Sequence, residues 1–157
     1  MANTSTKYIH YGSDHFDLDE FSPITNILGY NKPSGGLWAS PYNSENGWYD
    51  YCKSIDFNLD RIDKCFTFTL IDDAKVFTIK TEQDLRELEN AGFCTDGLSK
   101  LRYHYKAFYP DFNKLCIAGY DAIEVYMTDT IYWNLYGWDV DSLLVLNPNC
   151  VKADSNV

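Results

Sequence analysis

Three short clusters in this chain carry residue types that do chemistry at a useful spacing. In His10-Tyr11-Gly12-Ser13 a histidine is followed at once by Gly-Ser. That sets a ring nitrogen at a strand end, where a glycine lets backbone approach a ligand closely. A histidine at a turn serves equally well as a surface or core residue, and the residues alone leave both readings open. In Lys32-Pro33-Ser34-Gly35-Gly36-Leu37-Trp38-Ala39-Ser40, two glycines free the backbone for contact with a ligand. Trp38 and Ser40 are two apart and so share one strand face. A stacking ring beside a hydroxyl suits a nucleotide-like ligand. A glycine turn leading into a strand whose Trp is core is the alternative. In Gly137-Trp138-Asp139-Val140-Asp141-Ser142, two carboxylates stand ahead of the apolar run 143–146. They read either as solvated turn acids or as one acid poised to stabilise a cationic transition state or orient a ribose hydroxyl. Glu124, inside AIEVYM, and Asp129 are further candidates. Glu124 lies between Ile and Val on a strand and points to the opposite face, where it can simply meet water.

Other schemes are set aside by what is missing. The sequence has no G-x-S-x-G elbow and no H-E-x-x-H helix. It has no G-x-G-x-x-G and no phosphate-binding G-x-x-x-x-G-K pattern. Its three histidines, His10, His15 and His104, are too few and too dispersed to define a metal site.

Composition narrows the class. The 157 residues, 45% apolar and 23% charged, are one globular domain's worth (1–157) rather than a disordered chain. The net charge of −10, with three arginines, argues against wrapping nucleic acid by bulk electrostatics. It favours a soluble protein able to meet a basic partner surface. Aromatics are rich at 17%, with 13 Tyr and 4 Trp. Large core side chains account for most of them, and a share is available to line a pocket. The five cysteines form no C-x-x-C pair, and MANTSTKY lacks an apolar leader. Reduced thiols in a cytoplasm follow as the expectation. Cys65, Cys94, Cys116 and Cys150 sit in or beside apolar runs and read as buried, inert thiols. No apolar stretch reaches the roughly 18 residues that span a bilayer, so no membrane partner is expected.

These clusters need elements to hold them. Residues 7–12 read as a first strand, 13–35 as a long loop of the functional or lid-like kind, and 36–40 as a short second strand. A helix is expected from Ser44 to about Ser54. FTFTLI (66–71) alternates as a strand, with KVFTIK (75–80) as its partner across an Asp-Asp-Ala turn. Thr81 with Asp84 opens a helix that stops near Gly92. Residues 96–118 carry Leu98, Leu101, Tyr105 and Phe108 at helical spacing, with a break at Pro110 and a C-cap at Gly119. The tail reads as three strands, 122–127, 131–136 and 142–146. The whole is α+β, mostly antiparallel, with helices grouped between strand blocks.

Taken in order, the clusters resemble the ADP-ribosyltransferase superfamily. Members open with a strand bearing His or Arg followed by Gly and Ser/Thr, here I-H-Y-G-S. A second strand of G-[LFY]-[WYF]-x-S type follows, here G-G-L-W-A-S. A G-Y-D-x-I segment comes next, here Gly119-Tyr120-Asp121-Ala122-Ile123. The chain closes on an acid ahead of an apolar strand ending in Asn-Pro, here D-S-L-L-V-L-N-P. The likeness runs over nearly the whole chain. It is nearest to the small phage and prophage members, some of which inactivate host defence proteins such as CRISPR effectors.

The resemblance implies a split, mostly antiparallel β-sheet fold with flanking helices and NAD bound between the two sheets. Nicotinamide would lie near His10, Tyr11, Gly12 and Ser13, stacked on Trp38 or Tyr42. His10 would hold the nicotinamide ribose, and Gly36 and Ser40 would support the pocket. An acid would stabilise the oxocarbenium ion as nicotinamide leaves, with Asp141 the first choice and Glu124 a further one. Members read Y-H-G-[ST] where this chain reads H-Y-G-S. That shift sends His10 to the other strand face and leaves Tyr11 at the usual position. The absence of Arg on the first strand excludes the Arg-Ser-Glu subclass, and the closing acid is Asp with no E-x-E pair. The expectation is therefore a mono-ADP-ribosyltransferase acting on a host protein, or on a nucleic acid acceptor, in the cytoplasm of the host cell if the gene is phage-borne. The alternatives are an acidic, non-enzymatic inhibitor of a host defence protein, and a nucleotide binder or NAD glycohydrolase using the same pocket.

Overall fold

The computed structural model describes residues 5–95 and 107–154. β-Branched and aromatic runs build strands β1 (Tyr8–Tyr11), β2 (Leu37–Pro41) and β3 (Cys65–Leu70), with helix α1 (Trp48–Ile55) between the last two. β4 (Val76–Ile79) leads into α2 (Glu82–Asn90). A capping box starts α2: Thr81 Oγ1 accepts from the Asp84 amide, and the Asp84 carboxylate accepts from the Thr81 amide. The chain then runs through α3 (Phe112–Ile117), β5 (Ala122–Val125), α4 (Asp129–Asn134), β6 (Ser142–Val145) and β7 (Val151–Ala153).

The architecture is mixed α+β. The strands form one seven-stranded order, β4-β5-β6-β2-β1-β3-β7, in which only β4 and β5 run parallel. β5 and β6 lie well inside this order and are buried along their whole length. Ile123, Val125 and Leu144 face a core made with Leu85 and Leu88 of α2, Leu115 of α3, and Ile131, Leu135 and Trp138. Ala122, Leu143 and Val145 face a second core with Tyr8, Phe66 and Phe68. Glu124 shares that second face. Its Oε1 accepts from the hydroxyls of Tyr8 and Tyr126, each at 2.8 Å, and its Oε2 accepts from Thr78 at 3.4 Å. The Tyr8 bond reaches from β1 to β5 over β2 and β6. A flat sheet would hold those strands about 14 Å apart, so the sheet curls towards this face.

β1 and β2 part company early. They pair only at Tyr8↔Pro41 and Ile9↔Ser40. Beyond that, β1 stays with β3 down to Tyr11↔Cys65, while β2 stays with β6 from Ala39 back to Leu37. The sheet thus forks at His10.

Several expectations are corrected. Residues 131–136 are not a strand: they belong largely to α4. Thr128 caps it by accepting from the Ile131 amide, and Ile131 and Leu135, four apart, both reach the core. Helical period overrides the β-propensity of IYWNLY. KVFTIK does not hairpin with FTFTLI. β3 pairs with β1 and β7, and β4 lies at the far edge beside β5. The crossing is fixed by distant partners: Ile71 N donates to Cys150 O, and Lys75 N donates to the Asp121 carboxylate. The helix expected from Ser44 begins only at Trp48, because Gly47 is its extended N-cap. Residues 107–111 are not helical, and α3 starts after Asp111, which accepts from the Lys114 amide. The rest of the helix expected there, with Leu98, Leu101, Tyr105 and also His104, lies outside the described residues. The α3 C-cap is Ala118, one residue before the expected Gly119, which follows it in the left-handed region at φ +85°. The cysteines divide: Cys52 and Cys150 are buried, but Cys65 and Cys116 are exposed and Cys94 is half-buried.

Candidate functional site

The fork between β1 and β2 opens into a cleft of about 710 Å³. Where the ladder stops, the His10 side chain takes over: Nδ1 lies 2.6 Å from the Trp38 carbonyl. A carbonyl only accepts, so Nδ1 carries the hydrogen and Nε2 keeps an open lone pair. Burial holds the imidazole below its usual pKa, partly offset by that carbonyl bond, and so favours the neutral ring. Gly12 (φ +113°) lies beside Nε2, and a Cβ there would stand 3.9 Å from it. The fork also settles the face problem raised by H-Y-G-S. The pleat sends His10 and Tyr11 to opposite faces, yet both line the cleft because it opens where the strands separate.

Trp38 and Ser40 supply the next wall. Trp38 is wedged edge-on against Trp138 at 4.8 Å, and Trp138 is held by its Nε1–H bond to Asn31 O. The Lys32 ammonium sits 5.3 Å over the Trp38 ring. Burial pushes the pKa of that lysine down, and Asp139 pulls it partly back. Ser40 Oγ accepts from the Trp48 amide at 3.1 Å. This supplies the cap that Gly47 cannot and anchors α1 on the cleft wall. Trp48 lines the cleft and stacks on Tyr51 at 5.6 Å. Arg61, Asn58 and Asp139 complete the lining used here.

Of the residues singled out in the sequence, the cleft brings together His10, Tyr11, Gly12, Trp38 and Ser40. It also includes Asp139, the first of the two turn carboxylates, and leaves out Ser13, Gly36, Tyr42, Asp141 and Glu124. Ser13 turns away and donates to His15 O. Gly36 serves packing instead of ligand contact. With Gly35 it lets the chain lie against residues 22–24, and Gly36 N donates to Ser22 O at 2.8 Å. Tyr42 and Asp141 line a separate cleft of about 660 Å³ with Lys7 and Tyr126. Both Asp141 oxygens are occupied there: Oδ1 accepts from the Met127 amide at 2.7 Å and Oδ2 from Ser44 at 2.8 Å. Glu124 lines neither cleft, and its hydroxyl partners show that it is buried structure and not a water-facing acid.

Sequence reasoning missed Arg61, Trp48 and Asn58. It held Asp139 as one of two candidate turn carboxylates but put Asp141 first, and it named Lys32 only as the start of a segment. The one available signal was scarcity, since Arg61 is one of three arginines in an acidic chain.

The donor set suits a dinucleotide. Aromatic faces are present for a planar ring, two cations for phosphate, and His10 Nε2 and the Asp139 carboxylate for sugar hydroxyls. The volume lies in the usual range for small-molecule sites. No group of His, Cys, Asp and Glu among the described residues is placed to hold a metal ion, and no described helix is long and apolar enough to cross a membrane. No protein-family model, no curated protein and no solved structure matches the chain.

Proposed function

We propose that this cleft binds NAD and that the protein is a mono-ADP-ribosyltransferase, acting on a host macromolecule as the small phage members do. The observation that carries the reading is the locked His10. It is a neutral imidazole at the mouth of a forked sheet, with its free Nε2 in the same cleft as a carboxylate, two cations and a Trp face. The fork between β1 and β2 supports the split-sheet fold that the resemblance implies.

Nicotinamide leaves with the electrons of its glycosidic bond, and an acceptor then bonds the ribose carbon and gives up a proton. His10 Nε2 accepts from a ribose hydroxyl and orients the sugar. Asp139, which lines this cleft, replaces Asp141 as the acid that meets the positive charge developing on the ribose. Asp141 is committed to Ser44 and Met127 and shapes the adjoining turn.

The test is calorimetric titration with NAD, followed by mass spectrometry of the protein with NAD and host lysate. The expected result is micromolar binding and a new ADP-ribose adduct on a lysate component. Binding should weaken tenfold or more in His10→Ala (about 1.4 kcal/mol per decade). Asp139→Asn should abolish transfer while NAD still binds. The absence of binding at millimolar NAD overturns the reading. Loss of transfer in Asp141→Asn but not in Asp139→Asn returns the acid to Asp141. Free ADP-ribose with no adduct makes the protein a glycohydrolase.

A further inference from the structure

One aromatic face in the cleft is already covered. Trp38 packs half-buried on the core beside Trp138, and the Lys32 ammonium lies over its ring, 5.3 Å from the centroid. Both residues line the cleft. A planar ligand cannot stack on that face of Trp38 while the ammonium stays there. The backbone beneath Lys32 is fixed. Asn31, just before it, is buried, donates to Phe108 O and accepts from Trp138 Nε1 at 2.9 Å. Pro33, just after it, is buried too, and its ring holds Lys32 to extended backbone. What is left to move is the flexible four-carbon arm.

Charge decides what moves that arm. Burial pushes the pKa of the lysine down, and Asp139 in the same cleft offsets only part of that shift. The ammonium is therefore short of solvent where it lies, and an indole face replaces it only weakly. A phosphate offers full counter-charge and strong acceptors, and a charge-assisted bond is roughly twice as strong as a neutral one. Arg61, in the loop between α1 and β3, lines the same cleft and adds a second cation for the same group. A nucleoside brings a ring and hydroxyls but nothing that draws Lys32 off the indole.

We propose that Lys32 sets what the cleft accepts: its ammonium caps the Trp38 ring and leaves it only for a phosphate, so the cleft takes a nucleotide and turns away the bare nucleoside. The inference rests on the reading of the cleft as a nucleotide site. It adds that the ring stack and the phosphate contact form together, through one side-chain swing.

The test is calorimetric titration of the wild type, Lys32→Ala and Lys32→Arg with ADP and with adenosine, in the absence of NAD. Thermal unfolding shows that the variants remain folded. The wild type should prefer ADP. Adenosine should bind Lys32→Ala about two- to thirtyfold more tightly than wild type, the yield of uncovering one ring from a cation–π contact. The preference for ADP over adenosine should fall about tenfold or more in the same variant, the effect of losing one hydrogen bond to a charged group. Lys32→Arg keeps a cation that can both stack on the indole and bind phosphate, so it should retain the preference. A merely structural lysine would not make an uncharged ligand bind better once it is removed. Adenosine binding that is unchanged or weaker in Lys32→Ala overturns the proposal. So does a wild type that does not prefer ADP, or the absence of binding of either probe to all three proteins. NAD titration of the same samples scores the transferase reading separately. ADP and adenosine behaving as expected without NAD binding leaves Lys32 its role and removes the enzyme, and NAD binding with adenosine indifferent to Lys32 removes only the cap.

Discussion

The Tyr8–Glu124 bond ties β1 to β5 across two intervening strands, and its loss should be costly. Tyr8 is buried on β1, Glu124 is buried on β5, and two strands lie between them. Tyr8→Phe removes one hydroxyl and nothing else, so Glu124 keeps only Tyr126 and Thr78 as donors. A hydrogen bond to a charged, buried group is worth about 1.5–3 kcal/mol. For a protein of this length each kcal/mol moves Tm by about 2–4 °C, so Tyr8→Phe should lower Tm by roughly 3–12 °C. Glu124→Leu should cost at least as much, because it leaves the buried Tyr8 hydroxyl without its acceptor. The double variant Tyr8→Phe/Glu124→Leu should cost less than the sum, with a coupling of about 1.5–3 kcal/mol. Urea unfolding followed by far-UV circular dichroism measures all three. A Tyr8→Phe midpoint equal to wild type, with coupling below about 0.5 kcal/mol, would show that the carboxylate does not hold β1 over the curled sheet.

Gly35→Ala should be strongly destabilising: a Cβ there would sit 2.2 Å from Pro23 O at φ +81°. The backbone alone costs about 1–3 kcal/mol and the clash adds to it. Gly92→Ala, at φ +82° with nothing within 4 Å, is the control and should show the backbone cost only in the same melts. His10 sets a pH dependence. Its folded pKa is depressed, so below about pH 6.5 the unfolded chain takes up a proton that the native ring refuses. Its contribution is therefore complete above that pH and falls as pH drops towards the folded pKa. His15, raised by the open Asp14 carboxylate, runs the other way. The wild-type minus His10→Asn difference in urea midpoint isolates His10, and a difference independent of pH between 7 and about 5 would refute the neutral, buried ring. Asp121→Ala removes the acceptor for Asn147 Nδ2 and Lys75 N, each at 2.8 Å. It should lower stability by about 2–4 kcal/mol while leaving cleft affinity within about twofold at temperatures where the variant is folded, since it touches no cleft residue.

What the sequence made legible is what local chemistry decides. Alternation in FTFTLI, and apolar or aromatic runs bounded by turn residues elsewhere, located β1 to β6 to within a residue or two, and the Thr81–Asp84 box located α2. Some failures are local, as at 131–136 and at Gly47, and the rest are long-range. The pairing of β3 with β4 looked natural across a short turn, but Asp121 and Cys150, far along the chain, pull the two strands to separate parts of the sheet. The face that Ile131 and Leu135 present is visible only if the helical period is weighed above β-propensity. Glu124 reads as a surface acid in AIEVYM because nothing nearby in sequence tells that Tyr8, more than a hundred residues earlier, brings it a proton. Asp139 and Asp141 stand two apart in one turn, and only Ser44 and the Met127 amide decide which carboxylate is consumed.

The motifs behind the resemblance separate into two kinds of residue once their partners are known. G-Y-D and L-N-P clasp each other: Asn147 Nδ2 donates to Asp121, Leu146 N and Asn147 N donate to Asp121 O, and the Cys150 thiol, its pKa pushed up to about 12 by burial, lies against the same carbonyl. Gly35 and Gly36 belong with them, since each admits a neighbouring chain rather than a ligand. These residues set where β2, β5 and β6 lie, and a chain without any catalysis would need them as much as an enzyme. His10, Trp38 and Asp139 are different. The His10–Trp38 bond spans a gap that the ladder has already abandoned, and Asp139 meets the cleft after the clasp has fixed β6. The clasp therefore holds the fold, and the proposed chemistry rests on the fork. Only variants at the fork speak to what the protein does, which is why the NAD experiment turns on His10 and Asp139 and not on the more conspicuous motifs.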